Sequence, residues 1–202
     1  MVKHRSKSLL LIIIAVAVTG GLMFWRQSPQ QPPIEEITTA SPSPEPILSV
    51  LSGQSADGEI TLAMSRKKGT DTTAWSLTAS QANEAAKKIW SADLPHDTAI
   101  SIPFNAVSPD NKYLFLKQEG PDKTRYLVLS TSGAPLFQDS QTIEFAELFE
   151  SKQPDYKITA VTGWGGLNLI VINTDKIKGG TGPSFWFDLS GHSFIRLSNR
   201  FD

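Results

Sequence analysis

Cysteine is absent from this chain, so neither a disulfide framework nor a thiolate enters its chemistry. Histidine is scarce, with three copies at His4, His96 and His192. His4 lies in a basic tail, and the other two follow Pro95 and Gly191 in turn-like surroundings, so no metal site is expected. An excess of one charge is also lacking. A formal net charge of −1 over 202 residues offers no basic field to a nucleic-acid backbone, and no nucleic-acid partner is expected.

The common catalytic signatures are missing as well. No G-x-S-x-G elbow occurs, and Ser65-Arg66-Lys67-Lys68 satisfies S-x-x-K without the S-D-N and K-T-G companions that chemistry needs. Lys178 precedes Gly179-Gly180-Thr181-Gly182, the reverse of a phosphate loop that ends in Gly-Lys-Ser. That stretch is expected to be a hairpin loop. The carboxylates are scattered and name no facing pair for glycoside hydrolysis. No alternating Asp/Asn calcium loop is present. No catalytic residue, metal or cofactor is therefore assigned.

What is present begins with one long apolar run. Residues 1–8 carry Lys3, Arg5 and Lys7 and no acid, and Leu9 to Trp25 is a stretch of seventeen residues without a charge. Such a helix is close to the shortest that spans a ~30 Å hydrocarbon core. Three basic residues before it, against Arg26 after it, predict an N-terminus inside and the rest outside. Ala15-Val16-Ala17 has a small-x-small pattern but lies within the run, and bulky Leu22 to Arg26 follow it. An uncleaved signal anchor is thus expected over a cleaved signal peptide. The prediction is a single-pass protein of the cell membrane, with a cytoplasmic tail at 1–8 and a transmembrane anchor at 9–25.

Residues 26–49 follow as a spacer. Prolines at 29, 32, 33, 42, 44 and 46 withhold donors and fix φ, so regular structure cannot run through them. From residue 50 to 202 the pattern changes to short strand-like runs separated by polar or glycine-containing turns. Ile60 to Met64, Tyr113 to Leu116 and Leu167 to Ile172 lead three such groups. Ala74 to Leu77, Arg125 to Leu129 and Ser184 to Leu189 are their second runs. Leu62, Leu114 and Leu169 lie 52 and 55 residues apart, which predicts three related β units. Two short helices are also expected. One spans 80–91 with Ser80 as cap and Ala82, Ala85, Ala86 and Ile89 on one side. The other spans 142–151 with Thr142 as cap and a Phe145, Leu148, Phe149 face.

Ser108-Pro109-Asp110-Asn111-Lys112, set between two strand-like runs, resembles the turn of TolB/WD40-like β-propeller repeats, with Asn111 where glycine is usual. Asp188-Leu189-Ser190-Gly191 is similar to that family's blade ending. The first unit keeps Asp57-Gly58 without the Ser-Pro, and the third has Thr162-Gly163-Trp164-Gly165-Gly166 in its place. The resemblance covers residues 50–200 and implies a mainly β domain of propeller-like or stacked antiparallel units.

A rigid β frame displays loops, and loops carry contacts, here expected at 162–166 and 178–184. The expected function is an extracytoplasmic protein-binding or scaffolding module, with Trp164, Gly165, Gly166, Lys178 and Trp186 as candidate binding residues. Trp164 among glycines is either an interface anchor or a plug in its unit's core. The expected partners are the membrane, through residues 9–25, and another envelope protein or a second copy. Phe194, Ile195 and Leu197 form the apolar end of the third unit, where an oligomer or partner contact is expected. The alternative function is a cell-envelope enzyme acting on cell-wall polymer or peptide.

Overall fold

The computed structural model describes residues 49–82 and 84–201. The tail, the anchor and the spacer up to residue 48 lie outside the described residues. Among those described, no helix is long and apolar enough to cross a membrane.

The chain forms twelve strands and one helix among the described residues. The first sheet holds β1 (Ser49–Gln54), β2 (Ile60–Lys68), β3 (Thr72–Gln81) and β4 (Lys87–Pro95). The second holds β5 (Ala99–Ser101), β6 (Tyr113–Glu119), β7 (Thr124–Ser130) and β8 (Thr142–Glu144). The helix α1 (Ala146–Lys152) leads to the third sheet, made of β9 (Tyr156–Trp164), β10 (Leu169–Lys176), β11 (Thr181–Asp188) and β12 (Ser193–Arg196). Each sheet is a four-stranded antiparallel meander in which neighbours in sequence are neighbours in space.

Side-chain alternation explains how the sheets stack, because successive residues of a strand face opposite ways. In β6, Leu114 and Leu116 join the core shared with the first sheet, and Phe115 between them joins the core shared with the third. In β7, Leu127 and Leu129 face the first core, and Tyr126 and Val128 the second. The middle sheet is therefore covered on both faces, which is why its strands are apolar throughout. The first sheet contributes Ile60, Leu62, Met64, Trp75, Leu77 and Trp90 to its core. Thr61, Ala63 and Ser65 alternate with them along β2, so the opposite face is small and polar. Between the second and third sheets lie stacked aromatics. Phe145 meets Phe187 at 5.0 Å between ring centroids, and Phe149 meets Phe185 edge-on at 5.1 Å.

Two turns on the same rim share one hydrogen-bond pattern. The Ser55 and Ser108 hydroxyls donate to Asp57 and Asp110 at 2.5 and 2.8 Å. Each serine oxygen also accepts the amide five residues on, from Ile60 at 2.9 Å and Tyr113 at 3.0 Å. Gly58 and Asn111 occupy the left-handed position, at φ 76° and 60°. Asn111 also donates from its side chain to Asp57 at 2.7 Å, joining the two turns.

The expected helix at 80–91 is not formed. Residues 72–81 continue β3, and 87–95 form β4, which pairs with it. The alanines have no surface to pack on, since Ala82, Ala85 and Ala86 are exposed. Ile89 and Trp90 are consecutive and both buried, which the register shift between Leu77 and Thr78 permits. The second expected helix begins later than 142. Thr142 lies in β8, paired with Leu129, and α1 starts at Ala146 after Phe145, with no side-chain cap. Phe149 is fully buried from α1, as its apolar face predicts.

Candidate functional site

The third sheet differs from the first in what its outer face carries. Ile170, Ile172, Phe185 and Phe187 are spent on the inner core. The residues alternating with them are apolar too. Val171 pairs with Gly163 on one side and Trp186 on the other, and Trp186 pairs with Ile195. Leu169 stands in the adjacent row. Ile195 is 44% exposed, and the neighbouring Leu167 is 57% exposed. Val171 in the middle of the row is itself buried and Trp186 is half-buried, so the apolar surface left open on this side lies at Ile195 and Leu167.

Trp186 owes its position to a glycine. A Cβ on Gly165 would lie 2.7 Å from its indole nitrogen, so only glycine lets the ring rest on that backbone. Gly166 likewise adjoins Leu169. Beyond this apolar part the face turns polar and is covered by the chain's own tail. Ser184 donates to Asn173 at 2.5 Å, and the Phe201 amide donates to the Ser184 hydroxyl oxygen at 2.8 Å. Arg200 anchors the tail on the Thr174 carbonyl at 2.9 Å and on Asp175. Phe201 itself remains 50% exposed at the margin.

Of the five residues singled out in the sequence, Trp186, Gly165 and Gly166 meet on this outer face. Trp164 does not join them. It is the last residue of β9 rather than a loop residue, and it pairs with Ile170 on the inner face. Its ring packs against Tyr113 and Phe115 at 6.3 and 6.2 Å, and its indole donates to the Ala106 carbonyl at 2.9 Å. The plug is the role the structure gives it. Lys178 is exposed at the tip of the β10–β11 hairpin, apart from the other four. The 178–184 loop expected from sequence is shorter than that, since Thr181 already begins β11. Phe194 also faces inward, against Phe149 and Phe187, while Ile195 beside it is outward.

A cavity of about 590 Å³ opens between the first and second sheets beside the paired turns. Asp110, Lys112, Lys87 and Glu84 lie on its wall. Asp110 serves the turn: desolvation raises its pKa, but hydrogen bonds from Ser108 and Lys112 outweigh this and hold it below the usual carboxylate range. Lys112 is ion-paired with it at 3.1 Å, and Lys87 donates to the Ser132 carbonyl at 2.7 Å. Asp57 is likewise held low, by the Ser55 hydroxyl first and then by Glu59 and Asn111. Among the described residues no group of acidic or histidine side chains is placed to hold a metal ion.

The class that fold and face define is a mainly β domain of three successive four-stranded meanders with an apolar outer sheet face. Comparison with family models, with curated proteins and with solved structures found no match.

Proposed function

We propose that the chain is a membrane-anchored binding or scaffolding module, its three sheets stacked as the blades of a propeller-like body. The observation that carries the binding reading is the apolar row Val171, Trp186 and Ile195, with Leu169 beside it, on the outer face of the third sheet. A half-buried aromatic ring on a rigid backbone shelf, with the exposed Ile195 and Leu167 nearby, suits a protein contact centre. The likeness to TolB/WD40-like repeats is supported by the matching turns at Ser55–Ile60 and Ser108–Tyr113 and by the meander order of each sheet.

The occupant we assign to this face is the same face of a second copy. A head-to-tail contact would set the apolar row against the small polar face of the first sheet and leave it poorly covered. A twofold contact matches apolar with apolar and closes at two copies. Light scattering of the full chain in detergent micelles is expected to give a dimer. Ile195→Lys, which puts a charge at the exposed end of the apolar row, is expected to give a monomer with unchanged circular dichroism. A wild-type chain that stays monomeric at high concentration refutes the self-contact.

The anchor reading has its own check. Residues 9–25 are expected to remain in the mature protein, with the β domain digested when protease is added to intact cells or spheroplasts. An N-terminus mapped between residues 17 and 30 contradicts it.

A further inference from the structure

We propose that the polar end of the third sheet's outer face, around Asn173 and Ser184, is a slot for an extended, arginine-bearing peptide, filled in this chain by its own tail, residues 197–201, as a releasable strap. The slot goes beyond the self-contact at Ile195 and does not rest on it. Asn173 of β10 and Ser184 of β11 are direct partners across the sheet. Each lies two residues along its strand from Val171 or Trp186, and so on the same face as the apolar row.

Buried polar groups build the slot. Asn173 is 3% exposed and Ser184 has no exposed surface. Buried polar side chains need partners, and these two share the two ends of one peptide residue. The Ser184 hydroxyl donates to Asn173 Oδ1 at 2.5 Å and accepts the Phe201 amide at 2.8 Å. Asn173 Nδ2 donates to the Phe201 carbonyl at 2.5 Å. The pair therefore reads an N–H and a C=O and not the side chain between them. The Ser184 backbone does the same nearer to β12. Its carbonyl accepts the Leu197 amide at 2.9 Å, and its amide donates to the Asn199 carbonyl at 3.4 Å. The tail thus runs on from β12 along β11 and is held through its main chain, the chemistry by which a peptide adds to a sheet edge.

A break in the ladder supplies the preference for arginine. The pairing of β10 with β11 passes from Asn173 and Ser184 to Asp175 and Thr181, so Thr174 has no partner in β11. Such a bulge takes a residue out of the ladder and re-aims its groups. The Thr174 carbonyl accepts from Arg200 Nη1 at 2.9 Å, and Asp175 accepts from the same nitrogen at 3.3 Å. A carbonyl and a carboxylate side by side select a cationic donor.

Little apolar burial holds the strap down. Phe201, its largest apolar side chain, is 50% exposed, so hydrogen bonds and one ion pair carry most of the contact. Segments with few buried apolar contacts open at the lowest cost, and a strap near a chain end lifts without moving a second connection. Lifting it leaves Asn173 Nδ2 and both backbone groups of Ser184 without their partners. A segment with an extended main chain and an arginine at the matching place restores every one of those bonds. Two sources supply that chemistry: the tail of a second copy, or a segment of another protein.

The test uses the full chain in detergent micelles and a fluorescein-labelled peptide of residues 197–202, followed by fluorescence anisotropy. Saturable binding is expected. The Arg200→Ala chain, whose own strap is weakened, is expected to bind the peptide about tenfold more tightly, the scale of a lost charge-assisted bond. A peptide carrying Arg200→Gln is expected to bind about tenfold more weakly, and this arm needs no variant of the protein. Asp175→Asn, at a side chain 38% exposed, is expected to shrink the difference between the two peptides and so locates the binding. A benzoylphenylalanine at position 201 of the full chain then identifies the source. Crosslinked dimers indicate the tail of a second copy, and crosslinks within one chain indicate a segment of another protein. No saturable binding, no gain from Arg200→Ala, equal binding of the two peptides, or an unchanged difference in Asp175→Asn overturns the proposal.

Discussion

Phe187→Ala is expected to remove about 3–5 kcal/mol of stability, the usual cost of deleting a fully buried phenylalanine. Its ring has no exposed surface and sits between Phe145 at 5.0 Å and Phe194 at 5.1 Å. A domain of this size has about 5–15 kcal/mol in total, so the loss leaves it close to unfolding. The damage should not stay in the third sheet. Phe115 and Val128 belong to the same core, and their neighbours Leu114, Leu116, Leu127 and Leu129 belong to the core of the first sheet. Losing one face of the middle sheet therefore loosens both. Denaturant curves followed by tryptophan fluorescence and by circular dichroism should shift together and remain superimposable. A separate early transition in the variant would mean that the third sheet unfolds alone.

Two tryptophans 22 positions apart in the third sheet are expected to respond in opposite ways. Trp164→Ala should cost about 3 kcal/mol, the low end for a large aromatic, because the partly buried ring packs on Tyr113 and Phe115 between the second and third sheets. It also leaves the Ala106 carbonyl without its donor. Trp186→Ala should cost only about 1–2 kcal/mol, since its ring is half-buried on Gly165. That variant should instead lose self-association. Urea melts and light scattering on the two variants separate these outcomes. A stable Trp164→Ala chain that no longer associates would exchange the assigned roles and refute them.

The fold was legible where side chains alternate. Ile60, Leu62 and Met64 against Thr61, Ala63 and Ser65 define one buried face of β2 without any structure. The second sheet's apolar runs at 113–116 and 125–129 marked strands, but only the structure shows that each face serves a different core. Residues 80–91 misled because alanine spacing suits a helix, whereas burial of Ile89 and Trp90 outweighs that local preference. The one-turn delay of α1 arises because Thr142 is taken up by pairing with Leu129.

The site was legible in part for a similar reason. Glycines around Trp164 suggested a loop, but its pairing with Ile170 continues β9 and turns the ring inward. Gly165 has a structural part of its own, since its missing side chain makes the shelf under Trp186. The contact of Arg66 with Trp75 went unseen in the sequence because the two meet only through the β2–β3 register. Alternation along β2 is the signal that Arg66 and Lys68 share a face while Lys67 does not.

Three meanders form one body whose middle sheet is covered on both sides. Native-state hydrogen exchange of the full chain tests it most directly. The slowest amides of β2, β7 and β10 are expected to exchange with one common opening free energy, equal to that of global unfolding. Slowest amides in β2 or β10 that open several kcal/mol below those of β7 would contradict it, because the outer sheets would then be separate units resting on an independent core.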